Sequence, residues 1–223
     1  MRSMSEQRIL VLDEVLSTQD AAIDHDLQIG DACVSWNQQD GRGRRGHAWD
    51  SSGGVAVTVV LDQQMPHLPI AIAATLASQL NNILPTHSVG IKWPNDVFVE
   101  GKKLAGILIE QRDWRILVGI GVNVYEMPID GSVSLSGLGY EGTKDDIAML
   151  VTSSVLDGAQ LDEIAAVTSW KKRDIVVGSI QTVQSGDNCV KGLVLDIDPC
   201  QNLILETSSG IFTLPAASSS IVQ

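Results

Sequence analysis

The stretch VAVTVVL at residues 55–61 constrains the fold more than any other part of the chain. A nearly continuous apolar run rich in β-branched side chains predicts a strand that is buried on both faces. Residues 68–84 follow with apolar side chains at the spacing of one helical face: Ile70, Ala73, Ala74, Ala77, Leu80 and Leu84. A helix lying on a buried strand predicts a domain in which helices cover a β-sheet.

The remaining pattern extends this architecture in both directions. Helices are expected from the capping residues Ser17, Thr18 and Asp20 to about Leu27, and over 144–156 and 160–172. Further strands are expected at 8–13, 32–36, 89–93, 96–99, 104–111 and 115–124. From Asp174 onward, short β-rich pieces alternate with turn residues. We therefore expect an α/β sheet domain over 1–173 and a small β-barrel domain over 174–223.

Composition excludes several classes of protein. With 44% hydrophobic and 19% charged residues, the chain can bury a core and is not expected to be disordered. A net charge of −12 disfavours broad nucleic-acid binding. Three widely spaced cysteines without a CxxC pair, and the lack of an apolar signal segment, indicate a soluble cytoplasmic protein with reduced thiols. No run approaches the length of a membrane span, and four histidines without metal-ligand spacing predict no bound transition metal.

The basic residues are concentrated in three short stretches. Six of the 15 lysines and arginines lie there: Arg42, Arg44 and Arg45 in GRGRRG, Lys92 in KWPND, and Lys102 and Lys103 in GKKLAG. Glycines between arginines let the backbone approach a ligand closely, and a guanidinium binds an oxyanion through two N–H groups. An anion site is the functional interpretation of GRGRRG, and a mobile basic loop is the structural alternative.

Taken together, STQ at 17–19, QQDGRGRRG, KWPND, KKLAGILIE and GIGVNV resemble the catalytic domain of biotin protein ligases, and the tail resembles their C-terminal domain. The resemblance implies an α+β fold: a mixed β-sheet flanked by helices, of the class II synthetase-like biotin/lipoate ligase type, followed by a small SH3-like β-barrel. It also implies ATP and Mg²⁺ as cofactors and a two-step reaction. Biotin is activated as biotinyl-5′-AMP and then passed to a lysine of a biotin carboxyl carrier protein or domain.

The same resemblance assigns site residues. Lys103 is expected to be the main electrostatic stabiliser, Arg44 to hold the adenylate, and Asp96 to orient the acceptor amine or help carry Mg²⁺. The residues expected to bind biotin or biotinyl-AMP are Ser17, Thr18, Gln19, Gln38, Gly41, Arg42, Gly43, Arg44, Arg45, Trp49, Lys92, Trp93, Asn95, Lys103, Gly106 and Asn123. For Asn123 and Gly106 the structural alternatives are a turn residue and a close-packing glycine. For the two tryptophans the alternative is core packing.

Departures from the family pattern give further expectations. Asp40 places a carboxylate beside the arginines and is expected to pair with one of them when the site is empty. The end AASSSIVQ lacks a basic residue, so a nucleotide contact from the small domain is not expected. Strand one starts within about eight residues of Met1, which indicates the monofunctional type without a DNA-binding domain. The protein is expected to be a monomer or homodimer. A lipoate–protein ligase and a non-catalytic biotin-binding module remain the alternatives.

Overall fold

A seven-stranded sheet forms the centre of the molecule. The computed structural model describes residues 7–43, 48–49, 51, 53–125 and 130–222. The strands of the first part of the chain are β1 (Ile9–Leu12), β2 (Ala32–Ser35), β3 (Gly41–Arg42), β4 (Ala48–Trp49), β5 (Val55–Leu61), β6 (Val89–Lys92), β7 (Asp96–Val99), β8 (Lys102–Arg112) and β9 (Arg115–Val122). The central sheet has the order β1-β2-β5-β9-β8-β7-β6, while β3 and β4 form a separate hairpin. Only the β1–β2 pair is parallel among these described strands, so the sheet is mixed, as predicted.

Helices cover both faces of this sheet. The helices are α1 (Thr18–Asp24), α2 (Leu68–Ile83), α3 (Lys144–Gly158) and α4 (Glu163–Lys171). Every residue of β5 is buried, and its side chains alternate between two cores. Val57 and Val59 join the larger core with α2 and α3, whereas Val60 packs with Ala22 of α1 on the opposite face. The prediction of a strand buried on both faces is confirmed.

Element ends differ slightly from the sequence predictions, for local reasons. Helix α1 ends at Asp24, before the predicted Leu27, because the chain turns through Asp26, whose φ is +49°. Helix α4 starts at Glu163, because Asp162 caps it by accepting a hydrogen bond from the Ala165 N–H. None of the helices in the described part of the chain is long and apolar enough to cross a membrane.

The C-terminal part forms a second, antiparallel sheet. Its strands are β10 (Ile180–Ser185), β11 (Asn188–Ile197), β12 (Asn202–Thr207), β13 (Gly210–Pro215) and β14 (Ser219–Ile221), in the order β13-β12-β11-β10-β14. The small all-β unit is as predicted, but β13 and β14 remain edge strands, so pairing among the described residues leaves the sheet open rather than a closed barrel.

The segment before this sheet runs along the edge strand β6. The Ile91 N–H donates to the Arg173 carbonyl at 2.7 Å, and the Ile175 N–H donates to the Ile91 carbonyl at 3.2 Å. The Arg173 guanidinium also donates to the Val89 carbonyl at 3.3 Å. The chain is thus hydrogen-bonded to the first sheet where the second begins. The predicted domain boundary at residues 173–174 stays a prediction.

Candidate active site

A cavity of about 400 Å³ lies over β8 and β9 and brings the three basic stretches together. Its walls come from the start of α1, the β3–β4 hairpin, the KWPND stretch and the last strand, β14. The predicted site residues that line it are Ser17, Thr18, Gln19, Gln38, Arg42, Gly43, Trp49, Lys92, Trp93, Asn95, Asp96, Lys103 and Gly106. Residues far apart in the sequence therefore share one cavity.

One end of the cavity is neutral and hydrogen-bonded. Gln38 Oε1 accepts from the Thr18 backbone N–H at 2.8 Å and from the Thr18 hydroxyl at 3.0 Å. The Thr58 hydroxyl, fully buried in β5, donates to Thr18 Oγ1 at 2.8 Å. Ser17 caps α1 through its side chain, which fixes the start of the helix. These two hydrogen bonds hold the oxygen of the Gln38 amide toward Thr18 of α1, and its NH₂ group therefore points away from Thr18.

Gln19 presents an unsatisfied acceptor at this end. Its Nε2 donates to the Leu108 carbonyl at 3.0 Å, while its Oε1 is buried and has no hydrogen-bond partner. Gly119 makes room for this side chain, because a Cβ there would overlap Gln19 Nε2. A buried carbonyl oxygen without a donor is costly, so the site favours a ligand that brings an N–H group.

The other end is cationic. Lys103 Nζ lies 2.8 Å from Asp96 Oδ1 and 5.5 Å from the centroid of a Trp49 ring. Lys92 Nζ lies 5.4 Å from the Phe98 ring centroid. Burial lowers the pKa of Lys92, the charge of Asp96 opposes that shift, and the charge of Lys103 adds to it. Two lysines and one carboxylate leave this end with an excess of positive charge.

Trp49 lies flat on the floor of the cavity. A Cβ at Gly121 would overlap the indole, and one at Gly106 would lie 3.1 Å from Trp49 Cζ3. Gly41, opposite Trp49 in the β3–β4 hairpin, would overlap the Trp49 carbonyl oxygen if it carried a side chain. The glycines at 106 and 121 therefore let the ring contact the sheet, and Gly41 lets the hairpin close. Trp93, only 2% exposed, packs in the core as well as lining the cavity.

Arg42 is held by two carboxylates that the sequence did not indicate as its partners. Its Nη1 and Nη2 donate to the two oxygens of Asp20 at 2.8 and 2.9 Å, and its Nε lies 3.6 Å from Glu110 Oε1. The hydrogen bond from Arg42 lowers the pKa of Asp20. The expected partner Asp40 is exposed and adds only a weaker electrostatic contribution at Arg42. For Arg42, the expectation of pairing with Asp40 is corrected to Asp20 and Glu110.

Some predicted residues do not line the cavity. Asn123 is buried behind its wall, and its amide donates to the carbonyls of Lys103 and Val133 at 3.2 and 3.1 Å. It therefore fixes the backbone that carries Lys103. Gly41 also lies outside the lining, for the packing reason given above. Arg44 and Arg45 lie outside the described residues, so their predicted contacts stay predictions.

Sequence reasoning assigned no role at the site to several residues at or next to the cavity: Asp20, Thr58, Glu110, Arg112, Ser220, Ile221 and Val222. The last three, which belong to β14 or follow it directly, line the cavity, although no nucleotide contact was expected from this part of the chain. Their signal is weak, because an apolar–serine end of a chain has no distinctive spacing. The lack of a basic residue thus does not keep the C-terminal strand away from the site.

Comparison with known proteins adds to this geometry. Residues 15–125 match the model of the Biotin/lipoate A/B protein ligase family. The biotin–[acetyl-CoA-carboxylase] ligase of Paracoccus denitrificans is 32% identical over 202 residues, covering 79% of this chain and 84% of that protein. The bifunctional ligase/repressor of Escherichia coli K12 is 27% identical over 221 residues, covering 89% of this chain and 69% of that protein.

Solved structures give the same fold. The biotin protein ligase from Aquifex aeolicus, in complex with biotin and ATP, superposes with a TM-score of 0.84 at 23% identity, covering 97% of this chain and 99% of that one. The Leishmania major enzyme with biotinyl-5-AMP gives a TM-score of 0.67 at 22% identity, covering 94% and 99%. The family-model match, the Paracoccus relative and the shared fold converge on one assignment: the chain belongs to the biotin protein ligases of the Biotin/lipoate A/B protein ligase family.

Proposed function

We propose that this protein activates biotin with ATP to biotinyl-5′-AMP and then joins the biotinyl group to a lysine of a biotin carboxyl carrier protein or domain. The observation that carries the proposal is the division of one cavity of about 400 Å³ into a neutral end and a cationic end. Biotin has the same division, because its ureido ring is neutral and its carboxylate is charged.

The neutral end suits the ureido ring. Hydroxyl and amide groups can donate as well as accept, which matches a ring that offers N–H donors and a carbonyl acceptor. Gln19 Oε1 supplies an acceptor that is buried and lacks a donor. The amide NH₂ of Gln38 supplies donors, because its oxygen is already occupied by Thr18. Ser17 and Thr18 complete the wall at this end.

The cationic end suits the activation step. A biotin carboxylate oxygen forms a bond to the α-phosphorus of ATP, and the bond from that phosphorus to the pyrophosphate leaving group breaks. Both reactants are anions, so cations must offset their repulsion and the charge that develops. Lys103 and Lys92 lie at this end and can do so, and Arg42 lines the same cavity from its rim. We assign Lys103 the main electrostatic role, with Arg44 holding the adenylate.

In the transfer step the acceptor lysine must lose its proton, because its free pKa is about 10.4. The neutral amine forms an amide bond to the biotinyl carbonyl carbon and releases one proton to solvent, while the carbon–oxygen bond to AMP breaks and AMP leaves. Asp96 lines the cavity and already pairs with the Lys103 ammonium at 2.8 Å. We therefore propose that the same carboxylate orients the incoming amine.

Mg²⁺ is proposed to accompany the nucleotide. Within the described residues there is no group of three or more histidine, cysteine or acidic side chains placed to hold a metal. This fits Mg²⁺, which usually binds through one or two carboxylates together with substrate phosphates. Asp96 is the carboxylate in the cavity lining that would contribute. When bound, the ion would neutralise phosphate charge.

The division of labour along the chain is part of the proposal. Residues 1–173 form the catalytic domain and residues 174–223 the SH3-like domain, whose residues 220–222 line the cavity. We propose a cytoplasmic location, which is supported by three free cysteines, Cys33, Cys189 and Cys200.

A transfer assay tests the proposal. Purified protein is incubated with ATP, Mg²⁺, a carrier domain and either biotin or lipoate, and the carrier is analysed by intact-mass spectrometry. We expect biotinylation of the carrier, and none when its acceptor lysine is replaced by arginine. Lipoylation instead would favour the lipoate ligase alternative. A bound but unreacted biotin would favour the non-catalytic module.

A further inference from the structure

Four charged side chains form a closed ring at the rim of the cavity. Asp20 binds the Arg42 fork, and its Oδ1 also lies 2.6 Å from Arg112 Nη1. Glu110 Oε2 accepts from Arg112 Nη2 at 2.7 Å, and Glu110 Oε1 lies 3.6 Å from Arg42 Nε. We refer to Asp20, Arg42, Glu110 and Arg112 as the rim quartet. Only Arg42 of the quartet belongs to the cavity lining.

The quartet leaves Arg42 with bonding capacity for a ligand. Each terminal nitrogen of a guanidinium carries two N–H groups, and Asp20 takes one from each. The second N–H on each nitrogen remains for an oxyanion. The two-point contact with Asp20 also fixes the plane of the guanidinium, because both bonds must be satisfied together.

Arg112 decides the charge of this arrangement. Two arginines and two carboxylates give the quartet a net charge of zero. Without Arg112, Arg42 alone would face Asp20 and Glu110, and the quartet would carry one net negative charge beside the cavity. A ligand anion would then be repelled and would compete with two carboxylates for the same guanidinium.

We infer that Arg112 is a positioning residue for the biotin–ATP reaction: it shares Asp20 and Glu110 with Arg42, so that Arg42 can bind the anionic group of the ligand. This inference rests on the proposed function. It assigns a role to a residue that lies outside the cavity lining and 92 positions from Asp20 in the sequence. Arg112 acts through charge balance, so its loss is reparable by a second charge change.

Binding of two matched probes tests the inference. Biotinol-5′-AMP carries one phosphate group and cannot transfer its biotinyl part, whereas biotinol is neutral. Calorimetric titration should show that Arg112→Gln weakens biotinol-5′-AMP binding about fivefold, or roughly 1 kcal/mol, with biotinol changed by less than about twofold. The effect is modest because the quartet side chains are 26–35% exposed and partly screened by water.

The decisive variant is the pair Glu110→Gln with Arg112→Gln, which restores the net charge of zero and keeps the two-point contact between Asp20 and Arg42. It should bind biotinol-5′-AMP within about twofold of wild type. A purely structural role of the rim quartet predicts the opposite, because the double variant also loses the contact between Glu110 and Arg42. Lys171→Gln is the charge-matched control: it removes one positive charge from an exposed pair with Asp196 outside the cavity lining, and it should not change binding.

The outcomes separate the two levels of the proposal. Unchanged phosphate-probe binding in Arg112→Gln, or no recovery in the double variant, would overturn the role of Arg112 while leaving the proposed function intact. If the wild-type protein binds neither biotinol-5′-AMP nor biotinol, the proposed function is overturned, and the inference with it. Melting temperatures of all variants establish that each is folded.

Discussion

Replacing Gly121 by alanine should dislodge Trp49 from the cavity floor. The added Cβ would overlap Cε2, Nε1 and Cζ2 of the indole. Gly121 lies in β9, which is paired on both sides, with Ala56 of β5 and Gly106 of β8. The sheet backbone therefore cannot yield, whereas Trp49 belongs to a two-residue strand in a separate hairpin. The indole and its hairpin must move.

The magnitude follows from the contacts that the ring loses. Uncovering about 60 Å² of apolar surface costs about 1.5 kcal/mol. The loss of the Lys103–Trp49 contact adds about 0.5–1 kcal/mol. Alanine also lowers the conformational entropy of the unfolded chain, which raises the unfolding free energy by about 0.4–1 kcal/mol. The net loss of unfolding free energy is about 1–2 kcal/mol, which lowers the melting temperature by about 2–8 °C for a chain of this size.

A double-mutant cycle with Trp49→Ala isolates the overlap. Urea unfolding is measured for wild type, Gly121→Ala, Trp49→Ala and the double variant. If the clash causes the loss, Gly121→Ala should stabilise the protein by about 0.4–1 kcal/mol once the indole is absent, because only the effect on the unfolded chain remains. Equal destabilisation in both backgrounds would refute the reasoning, because the cost would then arise in the strand itself.

Three further predictions concern charge and reactivity. Lys103→Ala should slow adenylate formation at least about a hundredfold with an unchanged circular dichroism spectrum, because removing a preorganised charge at the reacting centre costs about 10²–10³ in rate; adenylation at the wild-type rate would refute its role. The hydrogen bond from Arg42 lowers the pKa of Asp20, so this carboxylate contributes stability above its unfolded pKa of about 3.9 that is lost as the pH falls through the folded pKa. Asp20→Asn should therefore flatten the pH dependence of the unfolding free energy below about pH 4, and an unchanged slope would contradict this. Burial raises the pKa of Cys33 to about 12, so iodoacetamide should modify exposed Cys189 in the native protein and Cys33 only after unfolding, as peptide mass mapping would show.

Local patterns were sufficient to predict most elements of the fold. The apolar run at 55–61 coincides with β5, and the apolar helical face at 68–84 coincides with α2. Both could be predicted because the spacing of apolar residues along a short segment reflects its secondary structure and its burial. The closure of the C-terminal sheet was not predictable in this way. Whether β13 meets β14 depends on the accumulated twist of five strands, which has no local sequence signal.

The residues of the candidate site also divide into those that a local sequence pattern indicates and those that only the fold brings together. Lys103, Lys92 and Arg42 stand out in the sequence because they sit in glycine- or proline-marked motifs within an acidic chain. The partners of Arg42 do not stand out, since Asp20 and Arg112 meet only when α1 and the end of β8 are packed together. Asp40 was a natural expectation because it is adjacent in sequence, yet side-chain direction in the folded hairpin decides which carboxylate is reached.

The central claim is that this cavity joins biotin to AMP. ATP–pyrophosphate exchange, followed with labelled pyrophosphate, measures that step without a carrier protein. We expect exchange that requires biotin and Mg²⁺, is not supported by lipoate, and is lost in Lys103→Ala. Exchange driven by lipoate, or none with either acid, would contradict the account.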